Sequence, residues 1–295
     1  MPLRILRPLA VTAVAAVAFG ACSSDGSTAT SSTTAAAPAT KPLHILVTND
    51  DGYEAPGIDT VATALAALPD VRVTIVAPAS NQSGTGGKTT AGVVQATPDK
   101  RRTASGRAAT AVVGYPADAV NYAFDDMGLT PDVVVSGINQ GQNLGPVASI
   151  SGTVGAAKRA ATLGVPAIAV SQGLSDDPQY EVGARLTVAW VRDHRTQLVD
   201  HTAAVGVVNL NVPSCPDGAL RGVKQVPLAT AVDGAVGAAD CASTVTAVTT
   251  DVEAFHNGYA SVSQLTATGE TVTSSTSFPA TKSSTSADPE STRAP

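Results

Sequence analysis

Two adjacent carboxylates follow the first apolar run of the chain, in the sequence Asn49-Asp50-Asp51-Gly52. Neighbouring side chains of a strand point to opposite faces, so these acids share one cation only where the backbone turns, and Gly52 gives the freedom to turn. Without a cation the two charges repel each other. Oxygen ligands of this kind suit Mg²⁺, Mn²⁺ or Ca²⁺ better than zinc. An ordinary Asx-type turn is the alternative interpretation of these four residues.

Three further polar loops contain residue types that bind small ions. Ser80–Thr89 is rich in hydroxyls, but it is not a Walker A loop, because that motif requires glycine where Gln82 stands. Ser136–Gly145 carries glycines and amide side chains, whose neutral oxygens add to a carboxylate site. Ser151-Gly152-Thr153 opens a predicted helix, so its free amides and the helix dipole favour a phosphate, unless the segment is only an N-cap.

The elements that must position these loops alternate along the chain. Short apolar runs predict strands, and apolar residues at helical spacing predict helices. The predicted strands are Leu43–Thr48, Val71–Ala77, Val133–Val135, Ala167–Val170 and Ala204–Leu210. The predicted helices are Ile58–Leu68, Pro116–Met127, Thr153–Leu163 and Val182–Leu198. This alternation indicates an α/β fold with a doubly wound, mostly parallel sheet flanked by helices, which binds ligands at the carboxyl ends of its strands.

Both ends of the chain are predicted to lie outside the folded domain, 42–270. Residues 1–21 contain two arginines and a short apolar region, which is typical of a secretory signal peptide. Cys22 follows a Gly-Ala pair, resembles the acylated cysteine of a bacterial lipobox, and predicts a lipid anchor on the outer face of the membrane. A plain signal cut elsewhere, giving a secreted protein, is the alternative. The Ser/Thr-rich segments 22–41 and 271–295 predict a disordered tether and a disordered tail.

Composition narrows the function classes. Charged residues make up only 14% of the 295 residues, against about 25% in ordinary soluble domains, while 43% are hydrophobic, so a sizeable core is expected. The formal net charge of −6 argues against a grip on a nucleic-acid duplex and requires a metal or backbone amides to hold phosphate. Apart from Cys22, the cysteines are Cys215 and Cys241, which either form a disulfide outside the cell or remain free thiols.

A series of short motifs follows in a set order and spacing over about residues 42–265. These motifs are Asn49-Asp50-Asp51-Gly52, Ala55-Pro56-Gly57-Ile58, Val76-Ala77-Pro78 with Ser83-Gly84, Gly114-Tyr115-Pro116-Ala117-Asp118, Val135–Asn139, Ser151–Val154, Leu210–Pro213, Thr250-Asp251 and Gly258–Val262. In this order and spacing they resemble the SurE (survival protein E) family. The family implies a Rossmann-like, metal-dependent nucleotidase that hydrolyses 5′- and, as a further class, 3′-nucleoside monophosphates.

The resemblance also implies the role of individual residues. One divalent cation, Mg²⁺ or Mn²⁺, is expected on four residues, Asp50, Asp51, Ser83 and Asn139. Asp50 is in addition the expected catalytic residue, through proton transfer. The nucleotide substrate is expected against five residues, Asn49, Asn143, Ser151, Gly152 and Thr153. A non-catalytic surface lipoprotein that binds nucleotides or metal, as the solute receptors of transporters do, is the alternative function.

One segment departs from the family pattern. Between Val226 and Thr250 the chain is short and almost without aromatic or basic residues, where family members carry a longer charged arm that is exchanged between subunits. The sequence therefore predicts a reduced C-terminal extension, and it leaves open whether the protein is a homo-oligomer.

Overall fold

A nine-stranded sheet with helices on both faces forms the core of the computed structural model, which describes residues 41–272. The strands are β1 (Leu43–Thr48), β2 (Val71–Pro78), β3 (Gln95–Arg102), β4 (Ala108–Val113), β5 (Val133–Gln140), β6 (Ala167–Gln172), β7 (Val207–Val212), β8 (Val223–Gln225) and β9 (Ala260–Leu265). The helices are α1 (Pro56–Ala66), α2 (Pro116–Asn121), α3 (Gly152–Thr162), α4 (Tyr180–Val199) and α5 (Asp251–His256).

The strands follow the order β3-β4-β2-β1-β5-β6-β7-β9-β8 across the sheet. The six strands from β4 to β7 in this order are parallel. Antiparallel pairs close the parallel part on each side, with β3 against β4 and β9 against β7. The prediction of a doubly wound, mostly parallel α/β sheet is confirmed, and the loops after β1, β2 and β5 meet at one edge.

Two apolar layers cover the sheet. On one face α1 and α4 bury branched side chains against β1 and β5, including Ile45 and Val135 at 0% exposure. On the other face α3 contributes mainly alanines, such as Ala156, Ala157 and Ala160. Because alanine side chains are short, this helix lies close against the sheet, and its first residues reach the loop that follows β1.

The structure departs from the sequence prediction at several elements. The edge pair β3 and β4 is absent from the prediction. Strand β3 is polar and largely exposed and shows no apolar alternation, whereas β4 is a short run of small, mostly buried residues that the prediction overlooked. Strand β5 continues beyond Val135 to Gln140, through a register shift against β6. Gly137 has φ +142° in this shift, and a Cβ there would lie 2.4 Å from the Val170 carbonyl oxygen. The bulge re-aims the side chains that follow it, Asn139 included.

The segment 226–250, called the arm below, contains neither helix nor strand. A disulfide joins Cys241 of the arm to Cys215 after β7, with a Cα–Cα distance of 5.7 Å. The disulfide is therefore present in place of two free thiols. The predicted signal peptide, Cys22 and the tail from residue 273 onwards lie outside the described residues. Within 41–272, every helix is too short or too polar to cross a membrane.

Candidate metal and phosphate site

The loop after β1 is shaped by its own asparagine. Asn49 is 0% exposed, its Nδ2 donates to the Gly52 carbonyl oxygen (2.9 Å), and its Oδ1 accepts from the Gly52 backbone N–H (3.1 Å). Gly52 has φ +101°, a conformation that L side chains rarely adopt. Asn49 thus fixes the turn that presents Asp50 and Asp51, and its contact with substrate stays a prediction.

The Asp50 carboxylate lies at the start of α3. Its Oδ1 accepts a 2.6 Å hydrogen bond from the Thr153 hydroxyl, and the backbone amides of Gly152 and Thr153 also donate to the carboxylate. The residue is 2% exposed, and burial raises the pKa of the carboxyl while these hydrogen bonds oppose the rise. The start of α3, which the sequence predicts to bind phosphate, therefore already contacts the Asp50 carboxylate. A phosphate bound there would lie next to this carboxylate.

Asp51 points to the two other loops. Its Oδ2 accepts from the Gln140 backbone N–H (3.0 Å), and its Oδ1 accepts from Asn81 Nδ2 (3.2 Å). Burial, followed by the negative charge of Asp50, raises the pKa of Asp51 to about 6. The fold thus holds two like charges side by side, at a free-energy cost that a cation between or beside them would offset.

The loop after β2 is tied to both carboxylate residues. The Gln82 backbone N–H donates to the Asp50 carbonyl oxygen (2.7 Å), and the Thr85 hydroxyl donates to the Gln82 carbonyl oxygen (2.7 Å). Ser83 is exposed and comes directly after Gln82, with its backbone N–H donating to Asn81 Oδ1 (2.9 Å). The structure therefore brings the segment that carries Ser83 to the aspartate pair, as the sequence analysis expects.

The loop after β5 supplies amide oxygens. Asn139 is 8% exposed, and its Nδ2 donates to the Gly141 carbonyl oxygen (2.6 Å), which leaves Oδ1 without a hydrogen-bond partner within the described part of the chain. Asn143 is held deeper: its backbone N–H donates to Asn211 Oδ1 (2.6 Å) and its Nδ2 to Ser171 Oγ (2.8 Å). Asn139 thus offers a free acceptor one residue before Gln140, whose backbone N–H contacts Asp51, while Asn143 is anchored to β6 and β7.

The residues present fit a divalent cation by the chemistry of their donors. Two repelling carboxylates and the free Oδ1 of Asn139 are hard oxygen donors, and the exposed Ser83 hydroxyl belongs to the same class. Over residues 41–272 there is no group of three or more His, Cys, Asp or Glu side chains that could hold a metal. A cation here would therefore rely on amide and hydroxyl oxygens to complete its coordination.

The sequence analysis missed the residues that orient the carboxylates. Asn81 and Gln140 contact Asp51, and Thr153 was assigned to substrate although its hydroxyl contacts Asp50. Gln140 acts through its backbone, so its residue type carries no signal. Only the packing of α3 against the β1 loop brings Thr153 to Asp50.

Comparison with known proteins shows the family to which the chain belongs. The family model described as survival protein SurE matches residues 45–234, which is more than half of the chain. The chain belongs to the SurE family. Among its relatives, the 5′-nucleotidase SurE of Desulfitobacterium hafniense is 38% identical over 191 residues, covering 64% of this chain and 72% of that protein. The 5′-nucleotidase SurE of Methanopyrus kandleri is 39% identical over 204 residues, covering 63% and 72%.

A solved structure of the same family has a similar fold. The crystal structure of the SurE protein from Aquifex aeolicus superposes with a TM-score of 0.59 at 28% sequence identity, covering 76% of this chain and 93% of that chain. The site loops described above lie inside the segment 45–234 that the family model matches.

Proposed function

We propose that this SurE-family chain is a 5′-nucleotidase that hydrolyses nucleoside monophosphates to nucleoside and phosphate with a divalent cation, Mg²⁺ or Mn²⁺. The 3′-nucleotides are a further substrate class. The observation that carries the proposal is the pair of Asp50, which is buried, and Asp51, which is half-buried, at the carboxyl edge of the parallel strands. The loop after β2, the end of β5 and the start of α3 all contact this pair. The names of the relatives, which are 5′-nucleotidases, support the choice of substrate.

The cation would be held by Asp50, Asp51, Ser83 and Asn139. When bound, it supplies the positive charge that the phosphoryl group needs, because these four residues bring none of their own. Gln140 and Asn81 keep Asp51 in place through their hydrogen bonds, and Thr153 orients the Asp50 carboxylate. The protein thus presents fixed oxygens on one side of the reacting phosphate.

The substrate phosphate would lie against the start of α3 and against Asn143. The Ser151 hydroxyl caps the helix by accepting from the Val154 backbone N–H (3.1 Å). The dipole of the 11-residue helix α3 adds partial positive charge at this end, which stabilises negative charge on phosphoryl oxygens. Asp50, which contacts the same helix start, is the residue to which we assign proton transfer at the phosphate oxygens.

The test is phosphate release by the purified full chain. With Mg²⁺ or Mn²⁺ the wild type should release phosphate from a 5′-nucleoside monophosphate and from a chromogenic phosphate ester, and a chelator should abolish both activities. Asp51→Asn should lose nearly all activity because it removes a charged ligand. Asp177→Asn, on an exposed aspartate outside the site, is the control and should behave as the wild type.

Two outcomes would count against the assignment. Wild-type activity of Asp51→Asn would remove the aspartate pair from the reaction. Tight binding of nucleotide without turnover, with every cation tried, would favour the non-catalytic lipoprotein instead. Assays with 3′-isomers and with polyphosphate define the range of substrates.

We further propose that the chain is exported and carries a lipid on Cys22. The Cys215–Cys241 disulfide supports export, because disulfides persist in oxidising compartments and are rare in the cytosol. Incorporation of a labelled fatty acid into the wild type, and its loss in Cys22→Ala, would establish the anchor. If Cys22→Ala carries no label but stays in the membrane fraction to the same extent as the wild type, the lipid anchor is contradicted.

A further inference from the structure

The residues assigned to the candidate site carry no positive charge, although a phosphate monoester carries about two negative charges at neutral pH. One divalent cation offsets only the charges of Asp50 and Asp51. The four polar loops of the site, 49–52, 80–89, 136–145 and 151–153, contain a single basic residue, Lys88. Lys88 is therefore the one side chain of these loops that could pair its own charge with the phosphate.

Lys88 follows a segment of the β2 loop that lies on the first turn of α3. The Gly86 backbone N–H donates to the carbonyl oxygen of Ile150, two residues before the helix begins (2.9 Å). A Cβ built on Gly155 would lie 2.0 Å from the Gly86 carbonyl oxygen and 2.9 Å from the Gly87 backbone nitrogen. The backbone immediately before Lys88 thus touches the helix, at a place where only glycine leaves room for it.

The helix face that meets this segment is also the face that meets the aspartate pair. Gly152 and Gly155 are three residues apart, so they lie on one face of α3, about 4.5 Å from each other along its axis. A Cβ on Gly152 would lie 2.8 Å from Asp50 Cβ, whereas Gly155 meets the loop backbone. Lys88 therefore lies one residue beyond a contact that is about one helical turn from the carboxylate.

The Lys88 side chain has no partner that would hold it away from a bound phosphate. It is exposed, and it forms no hydrogen bond or ion pair with any residue of 41–272. Its backbone N–H donates to the Thr85 carbonyl oxygen (3.2 Å), so the turn that carries it is closed. On α3 itself Arg159 lies in the second half of the helix, and its Nε donates to Asn121 Oδ1.

We propose that Lys88 binds the substrate phosphate, with its Nζ donating to a phosphoryl oxygen at the start of α3. The proposal rests on the proposed nucleotidase function and adds a charged contact that the family resemblance does not assign. The ammonium group is a compact charge with three donors on a flexible four-carbon stem, which suits a phosphoryl oxygen that changes position during the reaction. Its charge adds to the helix dipole and to the cation in stabilising negative charge on the phosphoryl group.

Substitutions that remove or keep the charge of Lys88 test this contact. In the full chain, Lys88→Gln should lower kcat/KM by about tenfold or more for a 5′-nucleoside monophosphate and for p-nitrophenyl phosphate alike, because both esters present the same phosphate. Lys88→Arg keeps the charge and should retain most of the activity. Lys100→Gln, at an exposed lysine of β3, is the matched control and should behave as the wild type.

Two further measurements separate phosphate binding from any other role of Lys88. The inhibition constant of inorganic phosphate should rise by about tenfold in Lys88→Gln, whereas the affinity for Mn²⁺, measured by calorimetry without substrate, should stay within about twofold. Salt should weaken phosphate inhibition more in the wild type than in Lys88→Gln, because dissolved ions screen an exposed charge.

The contact and the chemistry fail in different ways. If the wild type hydrolyses neither ester, the nucleotidase function fails, and calorimetric titration of inorganic phosphate into the Mg²⁺-loaded protein still tests the contact. In that titration, weaker binding by Lys88→Gln than by Lys100→Gln would support the contact, and equal binding would overturn it. If the wild type hydrolyses both esters and Lys88→Gln matches Lys100→Gln in kcat/KM and in phosphate inhibition, Lys88 is a solvated surface residue and the function stands without it.

Discussion

Gly152 lies where the start of helix α3 packs directly against Asp50. A Cβ built on Gly152 would lie 2.8 Å from Asp50 Cβ and 2.9 Å from its Oδ2, below any normal contact distance. The same amide donates to the Asp50 carboxylate. The absence of a side chain at Gly152 therefore allows the carboxylate to reach the helix start.

We expect Gly152→Ala to displace Asp50 and to weaken cation binding by about tenfold or more, as loss of an orienting contact does at metal sites. Isothermal titration with Mn²⁺ and activity at saturating metal measure the effect. Gly87→Ala is the control, because a Cβ at Gly87 meets no atom within 4 Å. Unchanged Mn²⁺ affinity in a folded Gly152→Ala protein would mean that the close approach has no role in the metal site.

His44, at the beginning of β1 and away from the candidate metal site, predicts a pH dependence of stability. Its Nδ1 accepts from Arg72 (2.8 Å), so its Nε2–H donates to Thr74 Oγ1 (2.9 Å), an arrangement that requires a neutral ring. Burial, followed by the positive charge of Arg72, lowers the pKa of His44 below 6.5, although nearby Asp132 opposes the shift.

Because the unfolded chain binds this proton more readily than the folded one, the stability contributed by His44 is lost as the pH falls below about 6.5. Denaturant unfolding between about pH 7 and pH 5 should therefore show a shallower loss of stability in His44→Gln than in the wild type. Equal pH dependence of the two proteins would show that His44 is not held neutral.

At this scale the sequence predicts residue types better than contacts. The spacing of Asp50 and Asp51 before Gly52 indicates a cation, and at the expected edge Asp50 is buried and Asp51 is half-buried. Ser83 as a ligand came only from the family resemblance. The bond from Thr153 to Asp50 joins residues 103 positions apart, and no local pattern encodes it.

At the scale of elements, helices α3 and α2 hold the loop after β2 in position. Helix α3 approaches it so closely that a Cβ at Gly155 would lie 2.0 Å from the Gly86 carbonyl oxygen. The end of the loop is held by Asp118 of α2, which is 1% exposed and accepts from the Thr90 backbone N–H (2.9 Å) and hydroxyl (2.6 Å). Asp118 belongs to a family motif for which the sequence alone suggested no role.

We expect Asp118→Asn to reduce the free energy of unfolding by about 1–3 kcal/mol, because a buried charged acceptor is replaced by an amide that adds donors. It should also raise the cation concentration needed for half-maximal activity, since the loop that carries Ser83 loses its anchor. Urea unfolding and metal titration measure the two effects. Asp126→Asn, at an exposed position, is the control, and a metal requirement equal in both variants would contradict the anchoring role.

The strands that the sequence predicts correctly are apolar runs between turn residues. Strands β1 and β2 are of this kind, and β1 ends where predicted. Four strands are absent from the prediction. β3 is polar and exposed along most of its length, and β8 has three residues. β4 and β9 are mostly buried, but threonine in β4 and serines in β9 interrupt their apolar runs.

For the molecule as a whole, the Cys215–Cys241 disulfide ties down the arm, which has no helix or strand of its own. It closes a loop of 26 residues that includes β8 and most of the arm without a helix or long strand. Reduction, or the double variant Cys215→Ser/Cys241→Ser, should lower the free energy of unfolding by about 2–4 kcal/mol.

Thermal unfolding with and without a reductant measures this loss, and the double variant should no longer respond to the reductant. A wild-type Tm that is insensitive to full reduction, verified by thiol titration, would show that the arm is held by its hydrogen bonds alone. Gln142, Arg221 and Asp251 are among the side chains that would then account for its position, through Gly237, Val245 and Ala229.

The outer strand β3 limits edge-to-edge pairing between copies of this protein. Its exposed edge contains Pro98, a register irregularity between Thr97 and Arg101, and three consecutive basic residues from Lys100 to Arg102. A proline without an N–H and a row of like charges block the addition of a tenth strand, and the three-residue β8 offers too little backbone at the other end. Self-association by continuous sheets is thus disfavoured, which opposes fibril-like growth and leaves helices and loops as the surfaces for any assembly.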